Sequence, residues 1–491
     1  MGDNLKEKMV GALKWSTVDR LGQQAVQFAI GVVLARLLSP DDFGLIGIVM
    51  IFAALSYVLV DSGFGQALIR KKDASDLDYN TVFFFNLTTS LLLYVLLYFV
   101  APYIAVFFNQ PALKSIARVI FLAVVFNSLY LVQFTKLGKK MDFKTLAKIN
   151  ILSTLLSGIV GVGMAFAGFA VWSLVLQQVL FHFLRFLFSL IFVKWKPQFL
   201  FSFEVIRGMW RFSINLLGTS VLNVIFNSTY VLILGKFYPK SEVGYYSQGN
   251  KLSETFNFTF QSILIGSSYS LFSQIHNDEE RFRRIFREIT RKTAMITLPV
   301  FLVMIAVAEQ LIEVVWSVKF LPSVPYFRFL CLAALFAPLY SLNITALNAR
   351  GESKSTFRIE ILKKSLILMS IFVAFPYGIS AMLWGYVAAS IIAYVFSLIY
   401  IKRNLKHFYK HQLQDVIFSL ITGLCIALPV FFIGYASLQV YLLLLFQLVV
   451  AGLLYIFVLK MFFKDVYLKI LSILQSAFRM LKSSKKQNTG F

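Results

Sequence analysis

Fourteen mostly apolar stretches follow one another through this chain. Runs of about 20 such residues are long enough to cross the hydrocarbon core of a bilayer as helices. They cover residues 15–38, 43–61, 79–108, 113–135, 147–168, 170–193, 211–235, 247–275, 293–318, 326–348, 358–377, 379–401, 415–436 and 440–462. Strands of a membrane barrel would show shorter segments of alternating polarity, and these runs do not alternate. Charged residues make up 14% of the chain, against about 25% in soluble proteins. The expected fold class is an all-α polytopic membrane protein with about 14 transmembrane helices.

A net charge of +24 invites a nucleic-acid partner, but the distribution of the charges argues against one. Alternate loops are basic: Arg70 to Lys72, Lys136 to Lys148, Lys194 to Arg211, Arg281 to Lys292, Arg350 to Lys364 and Lys402 to Lys410. With Lys6, Lys8, Lys14 and the tail, these loops hold most of the 47 Lys and Arg. The positive-inside rule then places both termini in the cytoplasm, and the net charge is largely topogenic. Cys331 and Cys425 lie in apolar runs, which speaks against a disulfide framework. The N-terminal residues show no signal-peptide cleavage pattern. Leu5, Met9, Ala12 and Leu13 line one face of an interfacial lead-in. By the same reasoning, Phe282, Ile285, Phe286 and Ile289 mark residues 276–292 as a short amphipathic surface helix.

The chain also repeats itself. Sliding it by 200 positions without a gap places Asp19, Gln23 and Gln27 on Thr219, Asn223 and Asn227, Arg36 on Lys236, Asp42 on Glu242 and Gly44 on Gly244. Gly138 to Trp172 resembles Gly351 to Trp384 at a slightly larger offset. Spans one to six and seven to twelve therefore read as two copies of one unit, related by an axis along the membrane normal. The expected organisation is an N-terminal lobe (1–193), a cytoplasmic linker (194–210), a C-terminal lobe (211–401), two appended spans (402–462) and a basic, disordered cytoplasmic tail (463–491).

Three spans carry polar stripes at helical spacing. Asp19, Gln23 and Gln27 line one side of span one, with Arg20 and Gln24 beside them. Asn215, Thr219, Asn223 and Asn227 line span seven. Asn250, Glu254, Asn257 and Gln261 line span eight, with Lys251 adjacent. An ionised group near the bilayer centre costs about 2.5–3.5 kcal/mol on insertion scales, so such stripes face a watered cavity or each other. The alternative for any single amide is interhelical glue, at about 0.6 kcal/mol per hydrogen bond. Arg20 has three readings: it snorkels to the cytoplasmic surface, pairs internally, or offers its guanidinium fork to a phosphate. Gln177, Gln178, His182 and Arg185 on span six form a weaker set. The candidate cavity residues are thus Arg20, Gln23, Gln24, Gln27, Asn223, Asn227, Lys251 and Asn257, with Asp19 and Glu254 as candidates for cation coupling.

Other features read as structure. Ser39-Pro40-Asp41-Asp42 is a helix start, with Ser as N-cap and Pro at the first helical position. Asp61, before Ser62-Gly63-Phe64-Gly65, reads as a turn residue. His407 and His411 sit in a basic loop and make a poor metal pair. Neither a phosphate-binding Gly-rich loop of Walker type nor a Gly-x-Ser-x-Gly elbow is present. The expectation is a non-enzyme without metal or cofactor.

With these residues in view, the chain resembles the Wzx-type polysaccharide flippases of the multidrug/oligosaccharidyl-lipid/polysaccharide (MOP) superfamily, and within them the colanic-acid and lipopolysaccharide exporters. The resemblance rests on Ala35-Arg36-Leu37-Leu38-Ser39-Pro40-Asp41-Asp42-Phe43-Gly44 and on Asp61-Ser62-Gly63-Phe64-Gly65-Gln66-Ala67-Leu68-Ile69-Arg70, with Trp15 and Gly168 to Trp172. It is specific over residues 15–72 and loose over spans one to twelve. It implies a bacterial inner-membrane protein with a central cavity of alternating access, no cofactor, and proton or sodium coupling. The implied partners are an undecaprenyl-pyrophosphate-linked oligosaccharide, membrane lipids and polysaccharide polymerase or assembly proteins. A multidrug cation antiporter of the same superfamily is the alternative function. A membrane glycosyltransferase or polymerase is a third, although no large outer loop is available to house its site.

Overall fold

Ser39 and Ser75 begin helices in the same way. Each hydroxyl accepts the backbone N–H three residues on, from Asp42 and Asp78, and each of these carboxylates accepts the serine N–H in return. This reciprocal cap satisfies two otherwise orphaned donors. Asp42 thus works as the helix start expected of it. These caps punctuate an all-helical chain, described by a computed structural model for residues 2–405 and 409–462. Side-chain surroundings are described for all of these except residues 2–10, 13, 262–267, 404, 405, 409–411 and 462. The tail from 463 and His407 therefore lie outside the described residues, as do the side chains of His411 and of the lead-in residues Leu5, Met9 and Leu13.

The chain divides into two compact units after Gln248. The first contains α1 (Gly2–Leu37), α2 (Pro40–Asp61), α3 (Phe64–Arg70), α4 (Asp76–Phe107), α5 (Leu113–Ile120), α6 (Leu122–Lys139), α7 (Phe143–Phe166), α8 (Val171–Phe192), α9 (Phe203–Phe237) and the start of α10 (Lys240–Gln274). The second contains the rest of α10, then α11 (Glu279–Ala306), α12 (Ala308–Trp316), α13 (Ser323–Ala334), α14 (Ala337–Ala349), α15 (Ser353–Ala374), α16 (Ile379–Leu405), α17 (Tyr409–Ile433) and α18 (Val440–Phe462). No strand occurs among the described residues.

Eleven helical segments are long and apolar enough to cross a membrane. The pairs α2–α3, α5–α6 and α13–α14 each count as one such segment. Three further helices of spanning length, α1, α10 and α15, are left out because their polar and charged residues lower the hydropathy. Together they account for the expected fourteen. The repeat also reappears in the helix breaks. The breaks Leu37/Pro40 and Phe237/Lys240 lie 200 residues apart.

Two sequence readings change. Residues 276–292 do not form a separate surface helix: from Glu279 they run straight into α11. Phe282 and Phe286 are fully buried, packed on Phe272. The amphipathic face is real, but protein fills it instead of lipid. The linker is also shorter than expected, because α9 begins at Phe203. Residues 194–202 are an extended strap fastened to the start of α4. The Gln198 N–H donates to Asn80 Oδ1 at 2.7 Å and the Ser202 N–H to Thr81 Oγ1 at 3.1 Å. Trp195 packs edge-on to Phe83, and the Lys136 ammonium sits over both Trp195 and Tyr79.

In the second unit α17 lies tightly along α11. A Cβ at Gly423 would come within 3.1 Å of the Pro299 Cα. The Gln412 amide donates to Asn343 Oδ1 at 3.1 Å, and the Tyr455 hydroxyl to the Met295 carbonyl at 3.3 Å. Spans thirteen and fourteen are in this way bonded into the second unit.

Candidate functional site

The first unit's polar centre follows from how α1 meets α7. A Cβ at Gly158 would lie 1.9 Å from Ile30 Cδ1, and one at Gly22 would lie 2.9 Å from Ile151 Cδ1. Two glycines thus let the helices approach closely along one line. That contact turns Asp19 and Gln23 toward α7 and α8. The Asp19 carboxylate accepts from Asn150 Nδ2, at 3.1 Å to each oxygen, and from Gln23 Nε2 at 2.7 Å. Arg185, on α8, donates to Gln23 Oε1 and to the Tyr130 hydroxyl, both at 3.3 Å, and lies over the Phe181 ring.

From Tyr130 the chain of bonds continues. Its hydroxyl donates to Asn127 Oδ1 at 2.6 Å and lies 2.8 Å from His182 Nδ1. A hydroxyl has one proton to give, so His182 Nδ1–H is the donor in that contact. His182 stacks on Tyr57, with ring centroids 4.9 Å apart. A connected network therefore spans α1, α7, α8, α6 and α2. One acid, Asp19, and one base, Arg185, are bridged within it by Gln23. Two of its atoms, Asn150 Oδ1 and Arg185 Nε, are buried without a hydrogen-bond partner, so the network is satisfied only in part.

The remaining span-one candidates lie on the adjacent side of α1. Arg20 and Gln27 are exposed, and Gln24 is half-buried and partnered. On α9, Asn215, Thr219, Asn223 and Asn227 are all exposed. Thr219 spends its proton within the helix, on the Asn215 carbonyl at 3.0 Å. The span-one stripe is thus split: Asp19 and Gln23 are used inside the unit, whereas Arg20 and Gln27 join the α9 amides as exposed polar surface on spanning helices.

The second unit gathers its own set. Lys251 and Glu254 on α10 are exposed, and Asn257 is 8% exposed. Asn257 bonds Glu254 and accepts from Gln261 Nε2 at 2.9 Å. Lys363 stands on α15 of the same unit. The Lys363 ammonium lies 4.5 Å from the centre of the Tyr340 ring, and the Tyr340 hydroxyl donates to Glu360 at 2.6 Å. Sequence reasoning missed Lys363, Glu360 and Tyr340. Lys363 had been counted with the basic inner loop from Arg350 to Lys364, yet α15 already begins at Ser353. The available signal was the run Arg358, Glu360, Lys363, Lys364 inside a helix-length segment.

Several of the other polar features are structural. Asp61 caps the turn into α3 by accepting the Gly65 N–H. Asp41 pairs with Lys240 at 3.3 Å, both of them partly exposed.

Comparison with known proteins bears on what these polar sets serve. The teichuronic acid biosynthesis protein TuaB of Bacillus subtilis is 24% identical over 427 residues, covering 85% of this chain and 88% of the relative. The lipopolysaccharide biosynthesis protein WzxC of Escherichia coli is 23% identical over 445 residues, covering 88% of each. The solved structure of the lipid II flippase MurJ, in an inward closed conformation, superposes with a TM-score of 0.71 over 92% of this chain and 99% of that one. At 16% identity this last likeness shows the fold. The pattern that defines the polysaccharide biosynthesis protein family matches residues 33–325, more than half of the chain. This multi-pass membrane protein therefore belongs to the polysaccharide biosynthesis protein family.

Proposed function

We propose that this protein flips an undecaprenyl-pyrophosphate-linked oligosaccharide across the bacterial inner membrane by alternating access, with both termini in the cytoplasm. The observation that carries the reading is the concentration of polarity in α1, α10 and α15, together with the stripe of exposed amides on α9. A lipid-linked sugar keeps its tail in the bilayer, so only its headgroup needs shelter. Exposed amides such as Gln27, Asn223 and Asn227 replace water around sugar hydroxyls. Exposed cations, Arg20 in the first unit and Lys251 in the second, are each suited to neutralise a diphosphate. The names of the relatives, a teichuronic acid and a lipopolysaccharide biosynthesis protein, and of a lipid II flippase with the same fold, support this substrate class.

The protein acts as a transporter without a cofactor, coupled to protons or sodium. Asp19 and Glu254, which lie on the polar stripes of α1 and α10, are the acids proposed to carry that coupling. Polysaccharide polymerase and assembly proteins are its expected partners. A multidrug cation exporter is the competing function, and exposed Arg20 and Lys251 would repel its cargo.

The test is outer-leaflet delivery of the headgroup in cells stripped of other flippases. Expression of this chain restores delivery; cells that deliver equally well without it would contradict the proposal. Within that assay, Arg20→Ala lowers export about tenfold at matched membrane levels, as expected for one charge-assisted contact of about 1.5 kcal/mol. Normal export by that variant removes Arg20 from the site.

A further inference from the structure

The link between the two sequence repeats is held in a fixed shape. Residues 193–202 join α8 to α9, both long and apolar enough to cross a membrane. Two fully buried side chains of α4, Asn80 and Thr81, fasten the strap through the N–H groups of Gln198 and Ser202. The Leu200 N–H donates to the Gln198 carbonyl at 2.7 Å, and Pro197 has no N–H to satisfy. The segment thus carries little free backbone polarity. Its aromatic side chains nevertheless point away from the protein. Phe199 is 97% exposed although its ring centre lies 5.3 Å from that of Phe84, and Phe203 is 79% exposed. Leu200 and Phe201 are exposed as well. Lys194, Lys196, Arg207 and Arg211 flank them, all exposed and in no ion pair among the described residues. The one acid in this stretch is Glu204.

Helix length sets the depth of this patch. With 35 residues, α9 is about 52 Å long at 1.5 Å per residue, against about 40–45 Å for a bilayer with its headgroups. Its first turn, and the strap before it, therefore fall at headgroup level. We propose that residues 194–203 are a lipid-binding strap. Phe199, Leu200, Phe201 and Phe203 seat at the boundary of headgroups and acyl chains, and Lys194, Lys196 and Arg207 hold anionic phospholipid headgroups. Aromatic rings favour that boundary. Charge selects the lipid: the cytoplasmic leaflet is the anionic one, and each cation near such a surface strengthens the contact roughly fivefold. A peptide would have to displace headgroups from between the ends of two spans to reach the same side chains. The strap thus ties the seam of the two repeats to the bilayer surface, while Asn80 and Thr81 tie it to α4.

The experiment uses the full chain reconstituted in vesicles of phosphatidylcholine, with or without phosphatidylglycerol. Cys331→Ala and Cys425→Ala remove the native thiols. A nitroxide is then attached through Phe199→Cys, or through Asp73→Cys as a control on an exposed loop. Electron paramagnetic resonance compares collisions with oxygen, which concentrates in lipid, and with a water-soluble nickel chelate. The label at 199 meets oxygen readily, and its nickel accessibility is about threefold or more below that at 73, as for a ring at the interface. Phosphatidylglycerol lowers the nickel accessibility further. The combined variant Lys194→Gln, Lys196→Gln and Arg207→Gln removes that lipid effect. Nickel accessibility at 199 equal to the control overturns the proposal, since the strap then lies in water. Shielding from both reagents overturns it too, since protein, such as a second copy of this chain, then covers the strap. A phosphatidylglycerol effect that survives the combined variant overturns the role of the cations. Size-exclusion chromatography checks that each variant is folded, and Phe203→Cys replaces Phe199→Cys if the latter is not.

Discussion

Gly44→Val abolishes export and destabilises the first unit by about 3 kcal/mol or more. The reason is a reciprocal crossing of two helix starts. A Cβ at Gly44 would lie 1.9 Å from the Lys240 carbonyl oxygen, and a Cβ at Gly244 would lie 2.0 Å from the Pro40 carbonyl oxygen. Each glycine meets the backbone that precedes the other, and the two contacts are related by the same offset of 200 residues as the sequence repeat. The crossing lies at the first turns of α2 and α10, where pseudo-symmetry brings like against like. Backbone cannot rotate away as a side chain can, so any Cβ here forces the helix starts apart by about 1 Å.

Gly244→Val behaves in the same way. Gly47→Ala is milder, because the atom it meets, Ser247 Oγ at 3.1 Å, belongs to a small side chain. Gly218→Ala is neutral, since nothing lies within 4 Å of the new carbon. The neighbouring Asp41–Lys240 pair adds little, as both side chains are partly exposed. Thermal unfolding in detergent and polymer export at matched expression check this series. Normal export by Gly44→Val would show that the crossing is not needed.

The second large effect is Asp19→Ala. It removes the acceptor that serves Asn150 and Gln23, and leaves Arg185 without the acid at the other end of its bridge. Stranding partly buried donors and a charge in this way costs about 3 kcal/mol. Export falls below detection and the unfolding temperature drops. Arg185→Met does comparable damage, because it strands Gln23 Oε1 and one acceptor site on Tyr130. Combining the two loses less than the sum of the single losses, by at least 1 kcal/mol, as residues of one network do. Strict additivity would mean that the bridge through Gln23 carries no coupling.

The sequence made the helices legible and the contacts only in part. Apolar runs and Ser-Pro punctuation placed the spans, since hydropathy and capping act locally. The repeat announced itself at Gly44 and Gly244, but nothing in a linear comparison says that the copies touch. Asp19 and Gln23 stood out as polar residues in an apolar span. Their partners Asn150 and Tyr130 did not, because one amide or phenol in an apolar helix carries no signal of what lies opposite. For that reason the stripe at Asp19, Gln23 and Gln27 looked like one surface when its members serve two. Lys363 was hidden differently. A cation near the cytoplasmic end of a span looks topogenic until the helix is seen to start a turn and a half earlier. The amphipathic pattern at Phe282 and Phe286 correctly predicted a buried face, but periodicity does not say whether lipid or protein buries it.

The central claim is that this chain moves a lipid-linked headgroup across the bilayer. The direct measurement reconstitutes the purified protein in vesicles carrying a fluorescent prenyl-diphosphate-linked oligosaccharide and follows its exposure to a membrane-impermeant quencher. With the native chain, the protected inner-leaflet pool becomes quenchable within minutes, while vesicles containing Gly44→Val or Asp19→Ala behave like protein-free ones. A protected pool that persists with the native chain, or that is lost equally with Gly44→Val, would contradict the account.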